Sequence, residues 1–576
     1  MKLWHLGNTT VRSPFRLREG LIALSNSGLQ SNLRGKENEK AFGNLLNENN
    51  VVQLSSTGDI TYSIGRKWRS ALTKLGFLYP KIPKSSGIAQ EAIGIPDTIT
   101  PNGRRLIAAN TVPAMQECFL RSLSAHYISS FTVENFNSTP FSPLRLTLCV
   151  MLELEKQTGT SELKFMEMAL VVQLSTGDDD LERIVERVLD FRQRRDASPN
   201  KRRFDGQELK SASKNYCYEE STFRDYADTN FRYLKATGLV QSKGRGLAIV
   251  PEKHLFIEQI VISSSIPSSI QEYYETLSKG SKLPTDNKVE ALSLLEDLVA
   301  QTKARGIYFD TEGKPKKTPA DIAILRHKAE ELLFEANELE YAARQSGEYE
   351  EISKYMGLLI NRTNRKTTLS NGEEISIPQA EAPAYFEWVL WRAFLAINSL
   401  VNQPYQARGF KVDQDFLPVG TAPGGGPDLT FEFSDFVLVV EVTLTANSRQ
   451  EAAEGESVRR HVADILIKYK EESGKPVYGL FLANSIDSNT AETFRIGCWY
   501  TKGDEKLKLE IVPITLTQFK RFFDGLYTSN NVDVEHVLEL FKQCNELRDN
   551  YDAPEWKQKI DSMVTNVTQR LAQHDS

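Results

Sequence analysis

Two acidic residues in the last third of the chain stand where chemistry is expected. Asp428 follows Gly424-Gly425-Gly426-Pro427, and Glu441 follows the apolar run Phe436-Val437-Leu438-Val439-Val440. Between them Leu429, Phe431 and Phe433 alternate with other residues, the period of a half-buried strand. The 436–440 run is short and rich in β-branched residues, which predicts a central strand after a turn at Ser434-Asp435. A hairpin of that length brings Asp428, at the mouth of the first strand, near Glu441, at the end of the second. Two carboxylates at the open end of a buried sheet are costly unless something pairs them. A divalent cation with oxygen ligands, Mg²⁺, would do so. The plainer reading is an ordinary hairpin with surface acids at its ends.

The flanks add groups of the same kind. Glu454, Glu456, Arg460 and His461 begin a predicted helix that runs on through Ile465, Leu466 and Tyr469. Upstream, 384–391 reads as an apolar helix interrupted by Glu387, four residues before Trp391 and on the side of Leu390. Glu387 is then either an acid at the edge of the apolar face or a metal ligand beside the sheet rim.

Pro427-Asp428 and Glu441-Val442-Thr443 resemble the two halves of the PD-(D/E)xK nuclease motif, with Thr443 where the lysine usually stands. More of the chain is similar to type IIS restriction endonucleases of the AlwI kind and their BstNBI-type nicking relatives. The similarity rests on FEWVLW (386–391), PGGGPD (423–428), LVVEVT (438–443) and ESVRRH (456–461), with LGNTTVRSPFRLREGL (6–21), GKENEKAF (35–42) and TNFRYLKATGLV (229–240). Members of that family also carry E-V-T. The resemblance implies that Glu387, Asp428 and Glu441 are active-site carboxylates, Glu454 the acid after the second strand, and His461 the histidine of the R-H pair.

Composition bounds the rest. At 576 residues the chain is too long for one ordinary core, and roughly three or four domains are expected. Its 40% hydrophobic and 25% charged content predicts a soluble globular protein. No apolar run approaches the roughly 18–20 residues of a membrane span, and the N-terminus shows no secretory pattern, so a cytoplasmic protein is expected, and the resemblance implies a bacterial one. Five scattered cysteines form no C-x-x-C pair and suggest neither zinc nor a disulfide framework. The net charge is −6, unevenly placed: residues 1–110 hold 15 Lys/Arg and 7 Asp/Glu, a net of +8, which leaves −14 for the remainder. A basic head on an acidic body fits nucleic acid as partner, although such asymmetry is common in multidomain chains.

In chain order, Arg12, Arg16 and Arg18 lie among small hydroxyl residues, and Arg34 and Lys36 open a predicted helix over 35–46. Arg66, Lys67 and Arg69 sit in a basic helix ending before Gly76, followed by a strand at 77–79. Residues 98–105 read as a strand and then a basic turn with Arg104 and Arg105. Helix, strands and turn together predict a winged helix. The pattern recurs: apolar helices at 143–155 and 161–174, a helix at 181–195, basic Arg202 and Arg203, a helix over 223–237 closed by Gly238, and two short strands around Lys243-Gly244-Arg245-Gly246. Helical runs at 288–304 and 318–345 read as a spacer. Strands at 477–482 and 509–514, with helices at 517–523, 533–548 and 555–572, complete an α/β unit around a mixed sheet.

The expected architecture is therefore multidomain α+β: winged-helix-like subdomains at 1–140 and 141–270, a helical linker at 271–375, and a PD-(D/E)xK nuclease domain at 376–576. The expected activity is Mg²⁺-dependent hydrolysis of duplex DNA at a fixed distance from a short asymmetric site. Asp428 and Glu441, with the Val442 carbonyl, would hold the metal, and Glu387, also a metal ligand, and Glu454 would hold a second ion or shape the first site. His461 would contact the scissile phosphate or assist water, or else be structural. DNA contacts would come from Arg12, Arg16, Arg18, Arg34, Lys36, Arg66, Lys67, Arg69, Arg104, Arg105, Arg202, Arg203, Lys243 and Arg245. A strand-specific nickase, the large subunit of a heterodimer, and a DNA-binding protein with a degenerate nuclease fold are the alternatives. Second-strand cleavage would require a transient homodimer or a small-subunit partner.

Overall fold

Thr100-Pro101 starts a helix rather than a turn. The Thr100 hydroxyl accepts the Gly103 N–H at 3.0 Å and Pro101 fills the first turn of the helix Pro101–Ala108. Arg104 and Arg105 thus ride a helix, and the expected strands at 77–79 and 98–100 reduce to one antiparallel bridge, Leu78 to Ile99. A first wing is not formed there. The local N-cap signal prevails over the β-branched Thr98-Ile99-Thr100.

The computed structural model describes every residue except 1, 2, 53, 55–62, 134, 135, 264, 265, 362, 447 and 574–576. The chain divides into two compact units, 1–333 and 334–576. In the first, the helices Arg16–Ser25, Lys36–Glu48, Ser63–Lys74, Pro101–Ala108 and Val112–Ala125 bury Leu17, Leu21, Phe42, Leu46, Trp68, Leu72 and Phe119. Gly76 ends Ser63–Lys74 with φ +71°, and a Cβ there would lie 2.2 Å from the Leu277 carbonyl oxygen, so glycine is required.

The second half of this unit carries a three-stranded antiparallel sheet of β1 (Leu163–Lys164), β2 (Val240–Lys243) and β3 (Gly246–Ile249), ordered β1-β3-β2. The helix Glu220–Lys235 leads into the β2–β3 hairpin, as the sequence predicts. The expected helix over 161–174 is shorter. Leu163 and Lys164 pair with β3, and helix resumes at Phe165–Leu170, where the Glu167 carboxylate reaches back to the Lys164 N–H at 2.9 Å. The helices Lys288–Ala304 and Pro319–Arg344 follow the predicted runs, and the latter ends in the second unit.

In the second unit the end of Pro319–Arg344 and the helix Tyr349–Ile360 precede a small hairpin of β4 (Lys366–Thr368) and β5 (Glu374–Ser376). Its main sheet contains β6 (Leu429–Glu432), β7 (Val437–Thr443) and β8 (Val477–Ala483). A ribbon of β9 (Cys498–Tyr500) and β10 (Lys506–Lys508) lies apart from that sheet, and β11 (Glu510–Thr515) completes it. The order is β11-β8-β7-β6, with β6 antiparallel to β7 and the other pairs parallel, a mixed sheet. Period-two alternation gives β7 two buried faces. Leu438 and Val440 meet a core closed by Ala382–Ile397 and the C-terminal helices, whereas Val437 and Val439 meet the helices Gln450–Glu472 and Ser488–Ile496. Among the described residues no helix is long and apolar enough to cross a membrane.

The helix Ala382–Ile397 is buried at every position except Pro383. It carries Arg392, 1% exposed, whose guanidinium donates to Gln345 Oε1 (2.6 Å), Glu351 Oε1 (2.7 Å) and Glu348 Oε2 (2.6 Å) and lies 4.6 Å from the Trp388 ring centroid. Glu348 and Glu351 are partly exposed, but removing the guanidinium leaves the buried Gln345 oxygen without its donor and the Trp388 ring without its neighbour. Arg392→Ala is therefore expected to lower the unfolding free energy of the second unit by about 2–3 kcal/mol. Urea titration of the full chain, followed by hydrogen exchange of the amides of the helix Ala382–Ile397, checks this.

Candidate active site

The β6–β7 register sets the acids side by side. Leu429 pairs with Val440, which carries Asp428 to the level of Glu441 where the two strands begin to part. The Asp428 Oδ2 accepts the Val442 N–H at 2.9 Å, and its backbone carbonyl accepts the Gly409 N–H at 2.8 Å. Glu441 continues the alternation of Val437 and Val439 and so faces the helix Gln450–Glu472. There its Oε1 lies 2.6 Å from His461 Nδ1, with one proton between them. The His461 Nε2 is buried and has no hydrogen-bond partner among the described residues. Thr443, at the place of the motif lysine, is also buried, and its hydroxyl accepts the Thr445 N–H at 3.1 Å.

Glu387 reaches the same place from the buried helix. It is 4% exposed, and its Oε2 accepts the Ala422 N–H at 2.7 Å from the loop before Gly424-Gly425-Gly426. The reading of Glu387 as a surface acid at the edge of an apolar stripe does not hold, because its helix has no solvent face. A cleft of about 690 Å³ opens here, lined by Glu387, Thr421, Val442, Thr443 and Thr445.

These acids hold their protons strongly. Burial, then the charge of Asp428, raises Glu387 to about 9. Burial, then Glu441, raises Asp428 to about 8. Burial, then Glu454, raises Glu441 to about 8. His461 moves down, through burial and then the nearby Arg460. Desolvation and like charge act together, the combination that marks functional sites. Glu454, half-buried, enters through its charge on Asp428 and Glu441. Among the described residues no three His, Cys, Asp or Glu side chains are arranged to hold a metal ion as they stand. Glu441 is turned to His461, Asp428 to the Val442 amide and Glu387 to the Ala422 amide, so one oxygen of each carboxyl is engaged by the protein.

Sequence reasoning missed what supports Asp428. Arg408 pairs bidentately with the fully buried Glu338 (2.7 and 2.8 Å) and donates to the Phe410 carbonyl at 2.7 Å. It also bridges to Leu429, the residue after Asp428. At the neighbouring Gly409 an added Cβ would stand 2.9 Å from both the Ala422 Cβ and the Pro427 carbonyl oxygen. Gly409 is thus a point of close approach between the loops that hold Glu387 and Asp428. A glycine directly after an arginine was the available signal.

The candidate DNA contacts fall in the first unit and differ in their engagement. Arg16 pairs with Glu19 and donates to the Asn50 carbonyl; Arg18 donates to the Ile107 carbonyl and Asn110. Arg34 forks onto Asp97, Arg69 pairs with Glu39, and Arg105 donates to Asn102 and the Lys279 carbonyl. Lys243 donates to Thr160 at 3.1 Å. Arg12, Lys36, Arg66, Arg104, Arg202, Arg203 and Arg245 are exposed, and Lys67 is half-buried.

A family model described as AlwI restriction endonuclease matches residues 73–522, most of the chain. The chain belongs to the AlwI restriction endonuclease family. It is thereby a site-specific nuclease that acts on DNA. The small subunit (R.BspD6I2) of the heterodimeric restriction endonuclease R.BspD6I is a solved structure with 28% identity, covering 37% of this chain and 97% of that one, at a TM-score of 0.28. No curated protein is matched. The matched span of the AlwI family model includes Glu387, Asp428, Glu441, Glu454 and His461.

Raised carboxyl values in this restriction endonuclease have a sign in stability. The folded chain holds protons that the unfolded chain releases above about pH 4, so the cluster's contribution is present at low pH and is lost as pH rises through 8 to 9. Without divalent cations, Glu441→Gln is expected to melt higher than the parent at pH 9 and close to it at pH 5. Scanning calorimetry in EDTA at both values checks this; a parent melting point that tracks the variant at both would mean solvated acids. Gly409→Ala is expected to displace the Asp428 loop and reduce cleavage more than duplex binding, read from single-turnover cleavage against anisotropy on one duplex.

Proposed function

We propose that this chain is a type IIS enzyme: residues 1–333 bind a short asymmetric duplex sequence, and the cluster at the end of β7 hydrolyses a phosphodiester at a fixed distance outside it. The observation that carries this is the gathering of Glu387, Asp428, Glu441 and His461, buried or nearly so, from two helices, a strand and the loop before another strand around the end of β7. The exposed basic candidates all belong to the other unit, which supports a separation of reading from cutting. Within that unit the Glu220–Lys235 helix and the β2–β3 hairpin give a winged-helix-like element for DNA.

The donor set is all hard oxygen, which suits Mg²⁺, and Asp428, Glu441, Glu387 and the Val442 carbonyl would hold it. Bound there, Mg²⁺ supplies a polarised phosphate oxygen and a more acidic water. The chain's own residues do the remainder. Asp428 is held by the Val442 amide and the Gly409 contact, so its free oxygen has a fixed place. Once Glu441 is ionised, the His461 Nδ1–H donates to it, and this fixes the tautomer. The Nε2, which has no hydrogen-bond partner among the described residues, is then left with its lone pair as a proton acceptor, the role that Thr443 cannot fill. Glu454 tunes the charge of the pair.

One such cluster per chain cuts one strand. Cleavage of the second strand would use a transient second copy or a small-subunit partner; without either, the enzyme nicks. The test replaces Asp428 or Glu441 by Ala. Binding to duplex should persist, while Mg²⁺-dependent cutting of supercoiled plasmid falls by at least about a thousandfold. Full cleavage by either variant would sink the assignment, and binding without cutting by the parent would favour the degenerate-nuclease reading. Sequencing the ends made from a random plasmid library gives site, offset and strand count together.

A further inference from the structure

The helix Lys201–Tyr216 packs Asp205, Leu209 and Ala212 inward. On its outer side Arg203, Gln207, Lys210 and Lys214 follow one another at spacings of four, three and four residues, so they form one stripe. All four are exposed. The acids of this helix lie elsewhere on its circumference and are engaged: Asp205 pairs with Arg195 at 2.7 Å and Glu208 with Arg194 at 3.0 Å. Lys201, also off the stripe, pairs with Asp196 at 2.6 Å. What remains on the outer face is three cations and an amide donor, with no carboxylate among them. At 1.5 Å per residue the stripe runs about 16 Å, the axial length of roughly five base pairs.

We propose that this stripe is a backbone-tracking surface for duplex DNA, with Lys210 and Lys214 among the phosphate contacts. Charge complementarity selects the partner: a straight row of like cations without acids suits a regularly spaced polyanion. Because its members are long, flexible cations and an amide set along a helix face, the contact is to phosphates rather than base edges and is indifferent to sequence. The inference rests on the DNA-binding role proposed above and adds where along the fold the non-specific binding energy arises.

The test measures binding of a labelled 30-base-pair duplex of random sequence in EDTA across a range of salt, for the parent, the triple variant Arg203→Ala/Lys210→Ala/Lys214→Ala, and the charge-keeping Arg203→Lys/Lys210→Arg/Lys214→Arg. Each phosphate contact contributes about 0.9 to the slope of log K against log salt. The alanine variant should show a slope shallower by about 3, and the charge-keeping variant should restore it. A parent slope unchanged by the alanine substitutions overturns the stripe while leaving DNA binding in place. A parent that fails to bind duplex even at low salt overturns both. All three positions are exposed, so the fold is expected to tolerate the changes, and circular dichroism confirms it.

Discussion

The second unit is built around an expensive placement: several carboxyl groups at the end of a strand that is buried on both faces. A carboxylate taken out of water is disfavoured by desolvation and again by its like-charged neighbours. The chain meets that cost with protons, holding Glu387, Asp428 and Glu441 in their neutral forms well above the usual carboxylate range. It also meets it with backbone donors, the Val442 and Ala422 amides. Such a site is poised: any group that brings positive charge and removes those protons is favoured there. The rest of the unit keeps the acids from turning to solvent. Val437 to Val440 anchor one strand in two cores, the buried helix Ala382–Ile397 fixes Glu387, and the Glu338–Arg408 fork ties the approach to Asp428.

What was legible in the sequence was local. The β6–β7 hairpin follows from a period of two, a turn and a β-branched run, all within fifteen or so residues, and the structure adds only the register. Gly76 and Gly238 mark the ends of their helices because the left-handed conformation there is a property of the glycine itself. The helix Lys288–Ala304 follows its predicted run of 288–304, which rested on residues close together in the chain. Where a local signal was weighed wrongly, at 98–105, a strand was expected from Thr98-Ile99-Thr100 although Thr-Pro is itself a helix start.

What was not legible depends on partners far along the chain. An arginine looks available until its acceptor is known: Arg34 meets Asp97, and Arg18 meets the backbone at Ile107. Glu387 read equally well as a surface acid, because a helix buried all round has no polar face to betray its setting. Arg408 and Glu338 are 70 residues apart, and neither belongs to a motif. Lys210 and Lys214 were passed over for another reason. Their meaning lies in the removal of acids from one side of a helix, which shows only once Asp205 and Glu208 are seen paired elsewhere.

Charge explains why reading and cutting would occupy different units. Beyond residue 110 the chain carries a net of −14, and the acids of the cleft would add to the repulsion of a phosphate backbone if ionised. A polyanion brought to such a cleft needs attraction from elsewhere on the molecule, strong enough to offset that field and placed so that the approach is not random. Exposed cations in the first unit, such as the stripe of Arg203, Lys210 and Lys214, would supply that attraction. The protons on Glu387, Asp428 and Glu441 lower the repulsion further until a cation replaces them. On the proposed reading, the same low-dielectric setting that makes the acids costly in the resting enzyme makes them selective. A cation that replaces their protons meets several oxygens already held in place.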